Sequence, residues 1–357
     1  MKLLVISLAG IGDTLFATPL IHELRANFPD AQIDALVLWR GSKDVLENNP
    51  HLNAVHQHNF ITEGKIASLK FLRGLRREKY NTSFNTHPQS RIPYRVIARI
   101  VGARERISHH YHNPPWLDRL LVNKTIPQDY NKHAIENNLA LLQFAGAKTV
   151  LPTHGYEIFL SDEEKKWAGE VVSKPGIAGK KIFGIHVGSG GTKNLARRRW
   201  PVRNYLELIN RLLKARSDLV VFLFGGPEEQ KDNAFLLAQT DSNKVFQPQT
   251  KNLRHAAALA GRCDLFLSVD TVLMHLAAAM KARNQIVIET PTWNKPIEPF
   301  GNPFLLVPNP CVARRNLEYY RYDGRGIRGS ADGLEKCMAS VSVDSVFEIV
   351  SAAISRI

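Results

Sequence analysis

The chain has 357 residues, 44% hydrophobic and 22% charged, and holds no apolar run of about 18 residues able to span a bilayer as a helix. Its length exceeds the roughly 250–300 residues at which a single core stops growing, so two domains are expected. A net charge of +14 points to polyanionic partners: nucleic acid, an anionic membrane face or phosphorylated substrates. Cys263, Cys311 and Cys337 lie far apart with no C-x-x-C spacing, which speaks against zinc or redox centres and for free thiols in a reducing cytosol.

The opening MKLLVISLAGIGDTLFATP begins as a signal peptide would, with a lysine and an apolar stretch. Gly10, Gly12 and Asp13 interrupt it, so it reads as a buried strand, KLLVISLA, entering a glycine-rich turn. The pattern G-x-G-D lacks the third glycine of the dinucleotide fingerprint. Asp13 is either a helix N-cap, for which Asp is favoured, or a carboxylate presented for chemistry.

QIDALVL, YNTSFNT and ERIS are the next strand candidates, and strands alternating with helices imply a parallel sheet covered on both faces. Between positions 65 and 106 there are eleven Lys or Arg against two acids, Glu78 and Glu105. Within it, KIASLKFLRGLRREK sets Ile66, Leu69, Leu72 and Leu75 at helical spacing among the cations. Arg73, Arg76 and Arg77 are its candidates for meeting a membrane surface or an anionic glycolipid. An ordinary solvated helix with one buried face is the alternative.

VVSKPGIAGKK has the composition of a linker. It divides the chain near position 178 into two Rossmann-like domains, 1–178 and 179–340. The tail 341–357 reads as an amphipathic helix capped by Asp344 and packing back on the first domain.

The second half supplies KIFGIHVG, LVVFLFGG, LFLSVD and QIVIET as strands. The first three end in Gly or Asp, and ligands gather at the carboxyl ends of parallel strands. After the first strand, GSGGTKNLARRRWP combines small residues and hydroxyls, Ser189 and Thr192, with Arg197, Arg198 and Arg199. That suits phosphate, or is simply a basic loop. Glu228 and Glu229 of FGGPEEQ can receive ribose hydroxyls or merely start a solvated helix. CDLFLSVDTVLMHLAAAM places Asp270 and Thr271 at the start of a close-packed helix, where a diphosphate would find backbone amides. Asp270, being acidic, suits hydroxyls or amides rather than phosphate, and His275 is either a site residue or a satisfied core histidine.

In this order GDTLFATPLIHEL, GSGGTKNLARRRWP, FGGPEEQ and SVDTVLMHLAAAM, with the tail KCMASVSVDSVFEIV, resemble glycosyltransferase family 9, the bacterial heptosyltransferases of the lipopolysaccharide inner core. The resemblance implies a GT-B fold, an α/β architecture of two Rossmann-like domains facing across a cleft. It implies inverting transfer of a heptose from an ADP-activated donor, without a bound metal or other cofactor. Asp13 then matches the proposed general base, and Arg198 the phosphate-contacting lysine. Ser189 and Thr192 match small hydroxyl residues, Glu229 the ribose-binding acid, and Asp270, Thr271 and His275 the D-[ST]-G-x-x-H motif. Arg198 replaces a lysine, and Val272 stands where the family has glycine, putting a β-branched side chain beside the expected diphosphate. The implied partners are a nucleotide-sugar donor and an anionic glycolipid or glycan acceptor, met at the cytoplasmic face of the inner membrane. A basic module binding nucleotide or nucleic acid without catalysis is a rival reading, although no nucleic-acid motif accompanies the cations. An NAD-dependent oxidoreductase is another, disfavoured because neither half has G-x-G-x-x-G followed by an acid.

Overall fold

The computed structural model describes residues 1–111, 116–190, 195–291, 295–315 and 330–356. Met1–Phe159 form the body of one compact unit, and the body of the other begins at Leu160. The first unit is built on strands β1 (Lys2–Ser7), β2 (Gln32–Val37), β3 (Ala54–Gln57), β4 (Thr82–Asn85), β5 (Glu105–His110) and β6 (Lys124–Pro127). The second carries β7 (Lys181–His186), β8 (Leu219–Phe224), β9 (Val245–Phe246), β10 (Leu265–Ser268), β11 (Gln285–Ile288) and β12 (Phe304–Val307).

The sheet orders are β3-β2-β1-β4-β5-β6 and β12-β11-β10-β7-β8-β9, with every pairing parallel. Each unit therefore starts in mid-sheet, winds two strands to one side and then three to the other. The winding reverses between β1 and β4 in the first unit and between β7 and β10 in the second. Such a switch point leaves a crevice outside the strands' carboxyl ends.

Sequence explains the inner strands readily. LLVIS of β1 and all of LVVFLF in β8 are buried, as befits strands covered on both faces by helices. Four strands escaped the sequence reading, β3, β6, β9 and β12, and each lies at a sheet edge. Edge strands have one free side and need no continuous apolar run; β6 and β12 are partly exposed along much of their length.

Five helices pack around the first sheet before β5: α1 (Ile11–Leu15), α2 (Thr18–Asn27), α3 (Arg40–Leu46), α4 (Lys65–Arg77) and α5 (Ile92–Val101). In the second unit the helix Val202–Ala215 buries Tyr205, Leu208, Ile209 and Leu212 against the sheet.

The division differs from the boundary expected near 178. The helix Asp162–Val172 belongs to the second unit, because Glu164 binds Arg254 through both Nε and Nη2 (2.6 and 2.7 Å) and Trp167 stacks on His255. The Pro- and Gly-containing stretch after it is a turn inside that unit. The C-terminal helix, Val343–Ile354, also differs from expectation. Its cap is Ser342, whose Oγ accepts the Ser345 N–H (3.2 Å), while Asp344 pairs with Arg211 (2.7 Å). Val346, Val350, Ala353 and Ile354 enter the second unit's core beside Leu208 and Leu212, so its apolar face serves that unit and not the first.

No single helix among the described residues is long and apolar enough to cross a membrane. All three cysteines are free thiols.

Candidate active site

In the first unit the chain leaves β1 and enters α1 through Gly10, which is extended. Gly10 N donates to Asp13 Oδ2 (2.6 Å). Asp13 is thus not the N-cap but the third helical residue, reaching back to close the first turn as in half of a capping box. A Cβ on residue 10 would stand 2.9 Å from that oxygen, so the close approach calls for glycine. The carboxylate is thereby oriented at the carboxyl end of β1, at the switch point beside β4.

Asp13 stands close enough to Tyr94 and Tyr111 to act on both hydroxyls. Burial raises the Tyr94 and Tyr111 hydroxyls; Asp13 adds to the rise at both, and Arg91 opposes it at Tyr94. Tyr111 Oη accepts the Gln89 N–H (3.0 Å) and lies 3.1 Å from His87 Nδ1. Arg95, buried, pairs with Asp118 (2.7 Å) and donates to the His109 carbonyl (2.6 Å). Sequence reasoning singled out none of His87, Arg95, His109 or Tyr111 as site residues. Their only signal was a concentration of His and Arg around the ends of β4 and β5.

In the second unit β7 pairs with β8 on one side and with β10 on the other, with Ser268 opposite His186. The loops after these three strands therefore emerge together. Ser189, in the loop after β7, is buried, as is Glu229 after β8. Glu229 accepts the Gly226 N–H (2.9 Å) and a hydrogen bond from Arg199 Nη2 (2.9 Å), with His186 Nε2 at 3.9 Å. Burial opposes its charge, but His186, the Gly226 amide and Arg199 outweigh that and hold the carboxyl below its ordinary value. Two glycines make room: a Cβ on Gly188 would sit 2.1 Å from Glu229 Oε1, and one on Gly225 2.6 Å from Glu229 Cβ. Arg199, read in sequence as one of three loop cations, is thus a fixed partner of Glu229 and of Asp232 (3.2 Å). His186 was missed, although a histidine ending a buried strand was a usable signal.

Arg198 and Asp270 come together from 72 positions apart, Nη1 donating to Oδ2 over 3.0 Å. Burial raises the Asp270 carboxyl and Arg198 partly counters it. Thr271 caps the helix Val272–Ala279 in extended conformation, and His275 is buried one turn in. Val272, the departure from the family pattern, occupies the first helical position. Ser189, Arg198, Glu229, Asp270 and Thr271 thus share one end of the second sheet, while Thr192 lies outside the described residues.

On α4 the expected apolar stripe divides. Leu72 and Leu75 are buried, but Leu69 is 39% and Ile66 88% exposed, and Ile61 just before the helix is 69% exposed. Arg73, Arg76 and Arg77 are exposed. Arg76 also donates to the Ile100 carbonyl at the end of α5 (3.2 Å).

Residues 68–307 match the family described as Glycosyltransferase family 9 (heptosyltransferase). The chain is 26% identical over 290 residues to lipopolysaccharide heptosyltransferase 3 of Escherichia coli, covering 75% of this chain and 78% of that one. Among solved structures it resembles a glycosyl transferase family 9 protein from Veillonella parvula (TM-score 0.77, 18% identity, 100% of this chain and 97% of that one). It also resembles E. coli ADP-heptose LPS heptosyltransferase II (TM-score 0.73, 20% identity, 100% and 99%). These structural likenesses establish the two-domain α/β fold of GT-B type. The rival readings, a nucleic-acid module and an NAD oxidoreductase, find no support among them.

Proposed function

Because the chain belongs to glycosyltransferase family 9, the heptosyltransferases, and is therefore a glycosyltransferase, we propose that it moves a heptose from an ADP-activated donor to a lipopolysaccharide core acceptor, with inversion. The observation that carries this reading is the pairing of chemistries at the two switch points. The first unit offers an oriented carboxylate, Asp13. The second offers small loops, helix amides and charged side chains around Ser189, Arg198, Glu229, Asp270 and Thr271. The names of the relatives, lipopolysaccharide heptosyltransferase 3 and ADP-heptose LPS heptosyltransferase II, support the donor and acceptor class.

Inversion needs one base to take the acceptor hydroxyl's proton on the face opposite the departing diphosphate, and Asp13 is assigned that role. Charge grows on the leaving diphosphate. Helix amides at Thr271–Val272 and the guanidinium of Arg198 are assigned to it, since fixed dipoles and cations act strongly where water is excluded. That arrangement requires no metal in the transfer step. Glu229 is assigned to the ribose hydroxyls.

The acceptor side of the reading rests on α4. Exposed Ile61, Ile66 and Leu69 beside Lys65, Lys70, Arg73 and Arg77 make a basic amphipathic surface suited to anionic lipid headgroups, which supports a peripheral position at the cytoplasmic face of the inner membrane. A donor screen decides the function: ADP-heptose, other ADP-sugars and UDP-sugars are each offered with a truncated lipopolysaccharide acceptor, and products are read by mass spectrometry. Transfer from ADP-heptose without added divalent cation is expected. Transfer from UDP-sugars only would sink the donor assignment.

A further inference from the structure

The first unit holds a second cluster of coordinating side chains, on different segments from Asp13. His22 projects from α2, His51 from the turn between α3 and β3, and Glu157 from the segment that ends the unit's main body. One ligand atom from each can be chosen so that all three lie within 4.8 Å of one another. His22 Nδ1 is 2.7 Å from Glu157 Oε1, and His51 Nε2 is 4.0 Å from Glu157 Oε2. The two imidazoles stack with centroids 3.7 Å apart and planes 15° apart.

A simple ion pair does not account for this arrangement. Glu157 Oε2 is buried, and no donor among the described residues hydrogen-bonds to it, a costly state for a carboxylate oxygen. The neighbouring His154 does not serve it. Its Nε2 binds Glu23 Oε1 at 2.7 Å, on a carboxylate that also accepts the Val150 and Leu151 amides. The backbones carrying the cluster are fastened independently: the Glu157 N–H donates to Thr18 Oγ1 (3.0 Å), and Arg25 donates to the His51 carbonyl (3.3 Å). Two imidazoles and a carboxylate, held by separate segments, converge with one acceptor atom left unserved.

We infer that His22, His51 and Glu157 form a binding site for a divalent transition-metal ion of the zinc class. Two nitrogens and one carboxylate oxygen are the donor set of such a borderline cation, whereas calcium and magnesium ask for oxygen alone. Tetrahedral donors at zinc distances stand about 3.3–3.5 Å apart. The His22–Glu157 contact opens and the His51–Glu157 contact closes to reach that spacing, and the stacked rings turn so that their lone pairs meet. Partly exposed side chains accommodate both moves. Water completes the fourth position. The ion joins α2, the turn before β3 and the closing segment of the unit; it takes no part in sugar transfer and leaves the metal-free transfer step as proposed.

The test uses the untagged full-length protein, stripped with a chelator and titrated with zinc chloride by calorimetry. One equivalent is expected, together with a rise in melting temperature. His51→Ala and Glu157→Gln should each weaken binding at least about tenfold, the scale seen even for lesser disturbances of metal sites, with circular dichroism confirming that each variant is folded. Cobalt(II) titration of the unaltered protein supplies a readout that needs no variant: visible absorption bands of a four-coordinate nitrogen–oxygen site are expected. Absence of stoichiometric zinc uptake, a purely six-coordinate cobalt spectrum, or full-strength binding in both folded variants would each overturn the assignment.

Discussion

Arg198 Nη1 stands 3.0 Å from Asp270 Oδ2, with the two side chains 7% and 13% exposed, so the loop after β7 is tied to the end of β10 by a nearly buried charge pair. Removing one member strands the other, and breaking such a pair costs about 3–5 kcal/mol. Arg198→Ala should therefore lower both stability and transfer rate, while Arg198→Lys, which keeps the charge but loses the planar fork, should recover more stability than activity. Burial already lifts the Asp270 carboxyl above its ordinary 3.8, and loss of Arg198 lifts it further. A raised carboxyl favours the folded state at low pH and loses that contribution as pH rises through the folded value. The stability deficit of Arg198→Ala in urea unfolding should thus be largest at neutral pH and shrink on acidification; a pH-independent deficit would refute the pairing.

Asp13→Asn keeps an oxygen to accept the Gly10 N–H but removes the base. Turnover should fall by about 10²–10⁴-fold, with nucleotide affinity and melting temperature nearly unchanged. Asp13→Ala removes the turn-closing bond as well and should cost roughly 1 kcal/mol of stability in addition. Steady-state kinetics and thermal melts on both variants separate the roles, and near-normal turnover in Asp13→Asn would leave Asp13 only its helix-closing task.

Gly188→Ala forces a Cβ to within 2.1 Å of Glu229 Oε1 unless something moves. Overpacking of this kind costs about 1–3 kcal/mol, and the displaced carboxylate should weaken nucleoside diphosphate binding as Glu229→Ala does. In the double variant the shortened side chain at 229 relieves the clash, so the two stability losses should be less than additive. Calorimetric titration with ADP checks the binding expectation, and urea unfolding of the four proteins of the cycle checks the stability expectation.

Tyr80 Oη donates to Asp34 Oδ2 over 2.6 Å in the first unit's core. Burial works to raise the Asp34 carboxyl, yet the His56 imidazole 3.6 Å away and hydrogen bonds from Tyr80 and Gln32 together hold it below its ordinary 3.8. A depressed carboxyl contributes stability above its unfolded value and loses it as pH falls through the folded one. Tyr80→Phe should cost about 1.5–3 kcal/mol at neutral pH, the range for hydrogen bonds to charged groups. The gap in melting temperature from the parent should narrow below pH 3.8; a constant gap would assign the loss to packing.

The cations of α4 do not carry equal structural duty, because Arg76 also holds the Ile100 carbonyl. Arg73→Glu with Arg77→Glu should therefore spare the fold while weakening binding to anionic vesicles, by about 1 kcal/mol for each cation lost near the surface. The weakened protein should show a shallower salt dependence. Co-sedimentation over a salt series tests this, and equal binding by parent and variant at every salt concentration would make α4 an ordinary solvated helix.

Sequence alone determined the α/β class, the eight inner strands and the motifs at their carboxyl ends: six of these strands are apolar runs, as cover on both faces favours, β4 (TSFN) and β5 (ERISHH) were legible by their place between helical patterns, and turns that approach a carboxylate or a ligand must be small. Residue type and local setting marked Asp13, Asp270, the run Arg197, Arg198 and Arg199 and the pair Glu228 and Glu229; only the family resemblance singled out Arg198 and Glu229 within them. The four edge strands carry no such constraint and became visible only when paired. Tertiary structure also decided which charges meet. Nothing local tells Arg198 from Arg199, yet one binds Asp270 and the other Glu229, since sheet order sets β7 between β10 and β8 and so fixes which loops are neighbours. The same holds for the tail. Its amphipathic helix was legible from periodicity, but a periodic apolar face specifies only that it is buried, and the second unit's core, offering Leu208 and Leu212, determined where.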